Sequence, residues 1–227
     1  ENVRVSTAIQ RRYHCDDRFF EIIDNEAKAY WLGFIAADGH VNQEGTRFDI
    51  GLSRRDKEHL ANFVRSINGT YKIHDTVAKG HLVSSVHIRS KEFVKNLNSH
   101  GIIARKTYHL EFPTSITTCR LKHYIRGYID GDGSFSTSKY DRIKKDGTRS
   151  PRLARSIVGT IGFITELRSF LHREVGTRLT KISPCGGNNV SYVVYLTGNR
   201  QLLSVANFLY EDATVFLPRK REVVLDH

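Results

Sequence analysis

Cysteine is scarce in this sequence. Cys15, Cys119 and Cys185 stand far apart, form no Cys-x-x-Cys pair and leave an odd thiol under any pairing, which argues against both a disulfide framework and a structural zinc site. Long apolar runs are missing as well. No stretch approaches the roughly 18 residues that a membrane span requires, so no membrane association is expected. The N-terminus, Glu1-Asn2-Val3-Arg4, has neither an initiating methionine nor a charged-then-apolar leader. This reads as a trimmed or processed chain of intracellular address, in cytoplasm, nucleoid or organelle matrix. Acidic residues are the remaining deficit: 24 Asp plus Glu face 35 Lys plus Arg, leaving a net +11 and a pI near 9.7. Such a surplus suits a polyanionic partner, although a basic surface can also serve solubility alone.

What the chain has is a repeat. Its 227 residues accommodate either one large domain or two of about 100–150 residues each. Two apolar-then-acidic segments share a texture, Ala29-Tyr30-Trp31-Leu32-Gly33-Phe34-Ile35-Ala36-Ala37-Asp38-Gly39 and His123-Tyr124-Ile125-Arg126-Gly127-Tyr128-Ile129-Asp130-Gly131-Asp132-Gly133, with Asp38 and Asp132 lying 94 residues apart. Each is followed by strand-like stretches, an amphipathic helix, two more strand-like stretches and another helix. In the first copy the pattern predicts strands at 46–53, 70–76 and 82–89 and helices at 56–67 and 91–99. In the second it predicts strands at 134–141, 152–159, 177–183 and 191–197 and helices at 165–175 and 200–210. Smaller matches support a duplicated unit: Asn68-Gly69-Thr70 against Val175-Gly176-Thr177, and Arg105-Lys106-Thr107 against Arg219-Lys220-Arg221.

The organisation expected is an N-terminal extension (1–25), a first half (26–111), a linker (112–120) holding Pro113 and a Ser/Thr run, and a second half (121–227). Segment 6–20, apolar and basic at helical spacing, reads as a preceding helix or the remnant of an upstream module. The offset between copies grows from 94 at the aspartates to 107 between Gly69 and Gly176. The extra residues fall at 139–152, where Asp146-Gly147 is a turn signal. Lys139, Arg142, Lys144, Lys145, Arg149 and Arg152 make this either a long basic hairpin or a disordered charged loop.

Both motif segments place a glycine inside a predicted helix, at Gly33 and Gly127, where it costs about 1 kcal/mol relative to alanine. Small residues on one face, Gly33 with Ala36 or Ala37 and Gly127 with Gly131, would compensate by letting two helices meet backbone to backbone. Gly39 and Gly133 suit left-handed C-terminal caps. An aspartate at a helix C-terminus faces the negative end of the macrodipole, and two such ends side by side are worse. Paired, Asp38 and Asp132 with nearby backbone carbonyls would concentrate oxygen ligands that a hard cation, Mg²⁺ above all, relieves. Two-metal sites of this kind clamp the attacking and leaving oxygens of phosphodiester cleavage. A single copy would more simply be a core helix ended by an Asp-Gly turn; its recurrence favours the chemical reading. The eleven histidines are scattered, and His14, His59, His100 and His172 show no ligand spacing.

On these residues the chain resembles the LAGLIDADG homing endonucleases, in particular the monomeric members with two motifs in one chain. Residues 31–39 and 125–133 fit the nine-residue signature, with glycine third and the acid-glycine ending. Ala36 departs at the sixth place, where the second copy keeps Asp130. The resemblance implies an α+β fold of two pseudo-symmetric αββαββα halves, with antiparallel sheets forming a DNA-binding saddle and the motif helices at the interface. A fourth strand in the first half must then come from 40–44. It implies a metal-dependent, site-specific endonuclease that cleaves both strands of a long double-stranded target and leaves 3′ overhangs. The implied catalytic residues are Asp38, Asp132, Lys106 and Lys220, and the implied metal ligands are Asp38, Asp132, Ala37 and Gly131. Mg²⁺ would be the cofactor, Mn²⁺ a substitute, and Ca²⁺ an ion that binds without supporting cleavage. A water-positioning residue is open between Gly51 and Ser53 in one half and Gly159 and Thr160 in the other.

For DNA contact the expected residues are Arg47, Lys72, His74, His87 and Arg89 in the first half, alongside Asp49. In the second they are Lys139, Arg142, Lys144, Arg149, Arg152, Arg155, Arg178 and Lys181, with Tyr192 and Tyr195. A non-cleaving descendant, acting as an RNA maturase on an intron or as a DNA-binding regulator, is the alternative; the presence of both Asp38 and Asp132 weighs against it. The endonuclease part of an intein would begin with Cys or Ser and end in His-Asn, whereas this chain closes with Leu225-Asp226-His227. A monomeric, free-standing or intron-encoded protein is therefore expected.

Overall fold

Asn25 opens the first helix: its side-chain oxygen accepts from the Lys28 N–H at 3.0 Å, satisfying one of the donors a helix start leaves free. The computed structural model describes residues 12–143, 149–187 and 190–225. Helix α1 (Glu26–Asp38) is followed by β1 (Gly39–Val41), β2 (Phe48–Ser53), α2 (Lys57–Ser66), β3 (His74–Ala78), β4 (His81–Ile88) and α3 (Lys91–Asn98). The order repeats in α4 (Thr118–Asp132), β5 (Ser134–Ile143), β6 (Arg149–Gly159), α5 (Ile161–Val175), β7 (Ile182–Cys185), β8 (Ser191–Thr197) and α6 (Asn199–Tyr210), with α7 (Pro218–Leu225) closing the described chain. The two αββαββα halves expected from the sequence are both present.

Each half is a four-stranded antiparallel sheet, in the orders β1-β2-β4-β3 and β5-β6-β8-β7. In β2, Phe48, Ile50 and Leu52 are buried while Asp49, Gly51 and Ser53 are not, so one face carries the core and the other stays open. Helices α2 and α3 supply Leu60, Phe63, Phe93, Val94 and Leu97 to the first core, and α5 and α6 supply Phe163, Leu167, Leu171, Leu202 and Leu209 to the second. Between them run α1 and α4, buried on almost every side: residues 29–36 and 124–130 are without exception inaccessible, as befits helices flanked by two half-cores.

Several local expectations shift. The fourth strand of the first half is β1, and the turn after it is built by Asn42, whose Oδ1 accepts from the N–H groups of Thr46 (2.9 Å) and Arg47 (2.8 Å). The strand predicted at 70–76 begins only at His74, because Thr70 pairs with His14 (N–H to carbonyl, 2.9 Å) and Tyr71 packs on Tyr13. Residues 12–20 are accordingly not helical; they lie on the first half through Phe19 and Phe20, with Asp16 N–H on Ile67 O at 2.7 Å. The strand predicted at 177–183 is β7, since Thr180 instead turns its hydroxyl to Tyr195 O (2.9 Å) and its carbonyl to Arg168 (2.9 Å). Helix α4 begins inside the expected linker, and Phe112 packs against Phe163 and Phe170 of the second core. At the basic insertion, β5 and β6 keep pairing out to Ile143 opposite Arg149, so the described part is an ordered hairpin.

Gly39 and Gly133 are not left-handed caps. Both are extended, at φ −73° and −70°, and what excludes a side chain is space. A Cβ on Gly39 would meet Phe48 and Ile35 within 2.8 Å, and one on Gly133 would lie 2.5 Å from Ile129 O.

Candidate active site

The tightest contacts at the described glycines lie along the seam between α1 and α4. A Cβ at Gly33 would sit 1.9 Å from Tyr124 O, and one at Gly127 would sit 2.0 Å from Tyr30 O. Each glycine thus admits the carbonyl three residues before the other, a reciprocal contact that sets both helices in register. One turn further on, a Cβ at Gly131 would lie 2.5 Å from Ala37 Cβ and 3.3 Å from Asp38 Oδ2. The two C-terminal ends therefore come out side by side, carrying Asp38 and Asp132.

Those carboxylates are open to solvent on one side and ringed by protein on the others. Loss of solvation raises Asp38 to about 6, the neighbouring charge of Asp132 adding to the shift and Lys220, Lys106 and Arg219 opposing it. Asp132 is raised as well, by the same loss of solvation, against the pull of Lys106 and Lys220. Two lysines flank the pair. Lys106, in the turn after left-handed Arg105 (φ 57°), donates to Ala37 O at 3.1 Å. Lys220, on α7, donates to Gly133 O (2.8 Å), Gly131 O (3.0 Å) and Ile129 O (3.3 Å). Each ammonium sits on the negative end of one motif helix, where it offsets the macrodipole. Burial lowers both, Lys220 to about 8.

The four groups singled out for catalysis thus share one place. A cavity of about 60 Å³ opens beside them, lined by Lys106, Thr107, Tyr128, Asp132, Thr160 and Ser191. Thr160 is occupied, donating to Leu110 O at 2.6 Å. A larger cleft, about 720 Å³, lies elsewhere, between residues 108–114 and the start of α5. The donors fit a hard divalent cation: two carboxylates converge with the carbonyls of Ala37 and Gly131, and each carbonyl keeps a second lone pair beside its lysine. Among the described residues no group of three or more His, Cys, Asp or Glu could enclose a metal.

On the open face of the first sheet, Arg47, Asp49, His74 and His87 come together: Asp49 accepts from Arg47 at 2.9 Å and pairs with His87 at 2.7 Å. Arg89 is exposed beside Arg47, and Lys72 is exposed ahead of β3. Arg178 and Lys181 are exposed ahead of β7. Lys139, Arg142, Arg149 and Arg152 fall on the β5–β6 hairpin, and Lys144 lies outside the described residues. Arg155 is a correction. It is buried in the core-facing register of β6 next to Ile157, and donates to Ile129 O at 2.8 Å, so it supports the end of α4 and faces no groove.

Sequence reading passed over a buried polar seam. Asp130 accepts from Tyr30 OH (2.9 Å), Tyr210 OH (2.5 Å) and Leu217 N–H (2.8 Å). Arg126, fully buried, donates to Glu26 (2.5 Å), Leu209 O (2.8 Å) and Val215 O (3.0 Å). The signal available was an aspartate and an arginine inside an otherwise apolar helix.

The sequence model of one protein family, described as a LAGLIDADG-like domain, matches residues 25–100. A curated relative, the replication factor C small subunit of Methanocaldococcus jannaschii, is 25% identical over 154 residues; the match takes in 66% of this chain but only 8% of that protein's length. Among solved structures, the fold is similar to the LAGLIDADG meganuclease I-AabMI bound to uncleaved DNA (TM-score 0.60, 11% identity, 89% of this chain and 88% of that one). It is also similar to the I-LtrWI LAGLIDADG homing endonuclease bound to target DNA (0.58, 13%, 87% of each) and to I-SmaMI bound to cleaved DNA (0.57, 15%, 89% and 87%).

Proposed function

We propose that this chain, a LAGLIDADG protein by its first-half sequence and by the fold of both halves, is a Mg²⁺-dependent endonuclease that cuts both strands of a specific double-stranded DNA site as a monomer. The observation that carries the reading is the convergence of Asp38 and Asp132 at paired helix ends, each end capped by a lysine. Two like charges held together with raised proton affinity are an unfavourable arrangement unless a cation is to be bound.

In this reading Asp38 and Asp132, with the carbonyls of Ala37 and Gly131, hold the metal. Bound there, Mg²⁺ supplies the positive charge that polarises a scissile phosphate and the attacking water. Lys106 and Lys220 lie close enough to the helix ends to neutralise charge that develops on phosphate oxygens. The open sheet faces, with His74 and His87 in the first sheet, Arg47 just ahead of β2, Arg89 just past β4 and Arg178 and Lys181 just ahead of β7, are the surfaces for the duplex, and the β5–β6 hairpin extends them. Arginine there can take guanine edges and lysine phosphates. Mn²⁺ is expected to replace Mg²⁺, and Ca²⁺ to support binding without cutting.

The test is selection of cut sequences from a randomised DNA library with Mg²⁺, Ca²⁺ or chelator. Defined cuts with 3′ overhangs in Mg²⁺ alone are expected, and Asp38→Asn or Asp132→Asn should lose at least ~100-fold in rate, the scale of removing one preorganised electrostatic group, while DNA binding persists. Binding with no cutting in any metal would assign the chain to regulation or to RNA folding instead.

A further inference from the structure

The lysine of the second half-site is set in place largely by the first half. Residues 211–219 leave α6, cross the seam and end in α7, and they are fastened at nearly every step. Glu26 Oε1, at the start of α1, accepts from Thr214 N–H (2.8 Å) and Val215 N–H (3.3 Å). Leu217 N–H is held by Asp130, which Tyr30 of α1 also holds. Arg219 then grips Asp56, just ahead of α2, with two parallel bonds: Nε to Oδ1 at 2.8 Å and Nη2 to Oδ2 at 2.8 Å. Asp56 is buried. The next residue is Lys220.

Among the described residues the first half shows no matching fork, although its Leu110 O accepts from Thr160 of the second half. Ala36 stands where Asp130 stands in the second copy, and Arg105, which precedes Lys106 as Arg219 precedes Lys220, lies beside the Gln43 amide of its own half. An Arg–carboxylate fork fixes orientation as well as distance. A fork one residue before Lys220 therefore fixes the rotation of α7, and with it the direction of the ammonium.

We propose that Asp56 is a positioning residue that acts on Lys220 through Arg219, so that the second half-site is complete only when the first half is docked, whereas no such fork precedes Lys106. This rests on the endonuclease reading above. Loosening the fork should then slow one strand of the duplex and spare the other.

The test is single-turnover cleavage, with Mg²⁺, of a selected target carrying a different end label on each strand. Asp56→Asn should slow one strand by about ten-fold or more, the scale of a small misplacement of a catalytic group, so that nicked duplex accumulates while DNA affinity holds. Lys220→Ala should slow the same strand, and Asp56→Asn added to it should do nothing further. Arg219→Lys keeps the charge but loses the fork, and serves where Asp56→Asn fails to fold; it should give the same strand bias. Equal slowing of both strands, or effects that multiply with Lys220→Ala, overturns the inference while leaving the endonuclease reading intact. Absence of cutting by the unaltered protein overturns both.

Discussion

Gly33 and Tyr124 touch backbone to backbone: a methyl group on the glycine would lie 1.9 Å from the tyrosine's carbonyl oxygen, and Gly127 stands in the same relation to Tyr30 at 2.0 Å. No side-chain rotation relieves such a contact, because the atom opposed is main chain. Alanine at either position should therefore destabilise the protein by about 3 kcal/mol or more, the upper range for overpacking a core, despite its better helix propensity. Gly162, also helical but with nothing within 4 Å of its would-be Cβ, is the control; Gly162→Ala should be neutral or stabilising by up to about 0.5 kcal/mol. Denaturant midpoints of the three variants decide this, and a mild Gly33→Ala would sink the close-packed seam.

The same seam sets a pH dependence. Asp38 is raised from 3.8 to about 6, so its folded form holds a proton that the unfolded chain has already released. The stability this contributes is complete below pH 3.8 and is lost as pH rises through about 6. Without metal, melting temperature should fall across that window, and Asp38→Asn should flatten the fall. On the proposed metal role, divalent cation should reverse the trend by binding the deprotonated carboxylate, stabilising the fold most above pH 6. Thermal melts from pH 4 to 8, with chelator or Mg²⁺, check both; an identical slope in the variant would remove Asp38 as the source.

Much of this was legible in the residues. The repeated apolar helix with its internal glycine and terminal acid-glycine marked the two halves, while the fourth strand of the first half and the places of Lys106 and Lys220 came from the family resemblance. Strand starts at β3 and β7 were misjudged because residues 70–73 and 177–181 have strand-like composition but pair with His14, Arg168 and the edge of β8 instead. Arg155 was misassigned because alternation gives two faces without saying which is inner, and a buried arginine reverses the usual guess. The seam of Glu26, Asp56, Asp130 and Arg219 joins residues up to 189 positions apart, and a single sequence holds no signal that links them.

Glu26 is expected to matter more than its partly exposed position suggests. It neutralises Arg126, whose side chain is fully inaccessible, and it accepts from Thr214 and Val215. Glu26→Ala leaves a buried guanidinium without its counter-charge, at a cost of about 3 kcal/mol or more. It also frees the segment that carries Lys220. The variant should show a lowered melting temperature together with faster proteolysis between residues 210 and 218; proteolysis spread evenly over the chain would instead mean general destabilisation.

The β5–β6 hairpin offers a quantitative test of the proposed DNA surface. Lys139, Arg142, Arg149 and Arg152 lie on two strands that pair out to Ile143 and Arg149, and both strands are longer than β2 and β4. Each cation that meets a phosphate releases about 0.9 of a counterion, so replacing all four with glutamine should reduce the slope of log affinity against log salt by about 3 to 4. Because phosphate contacts carry no sequence information, the preferred target should stay the same while affinity falls most at low salt. Affinities measured from 50 to 300 mM salt on a selected target and on an unrelated duplex distinguish the outcomes. An unchanged slope with an unchanged preference would place the hairpin off the DNA, whereas an unchanged slope with a shifted preference would mean that these side chains read bases.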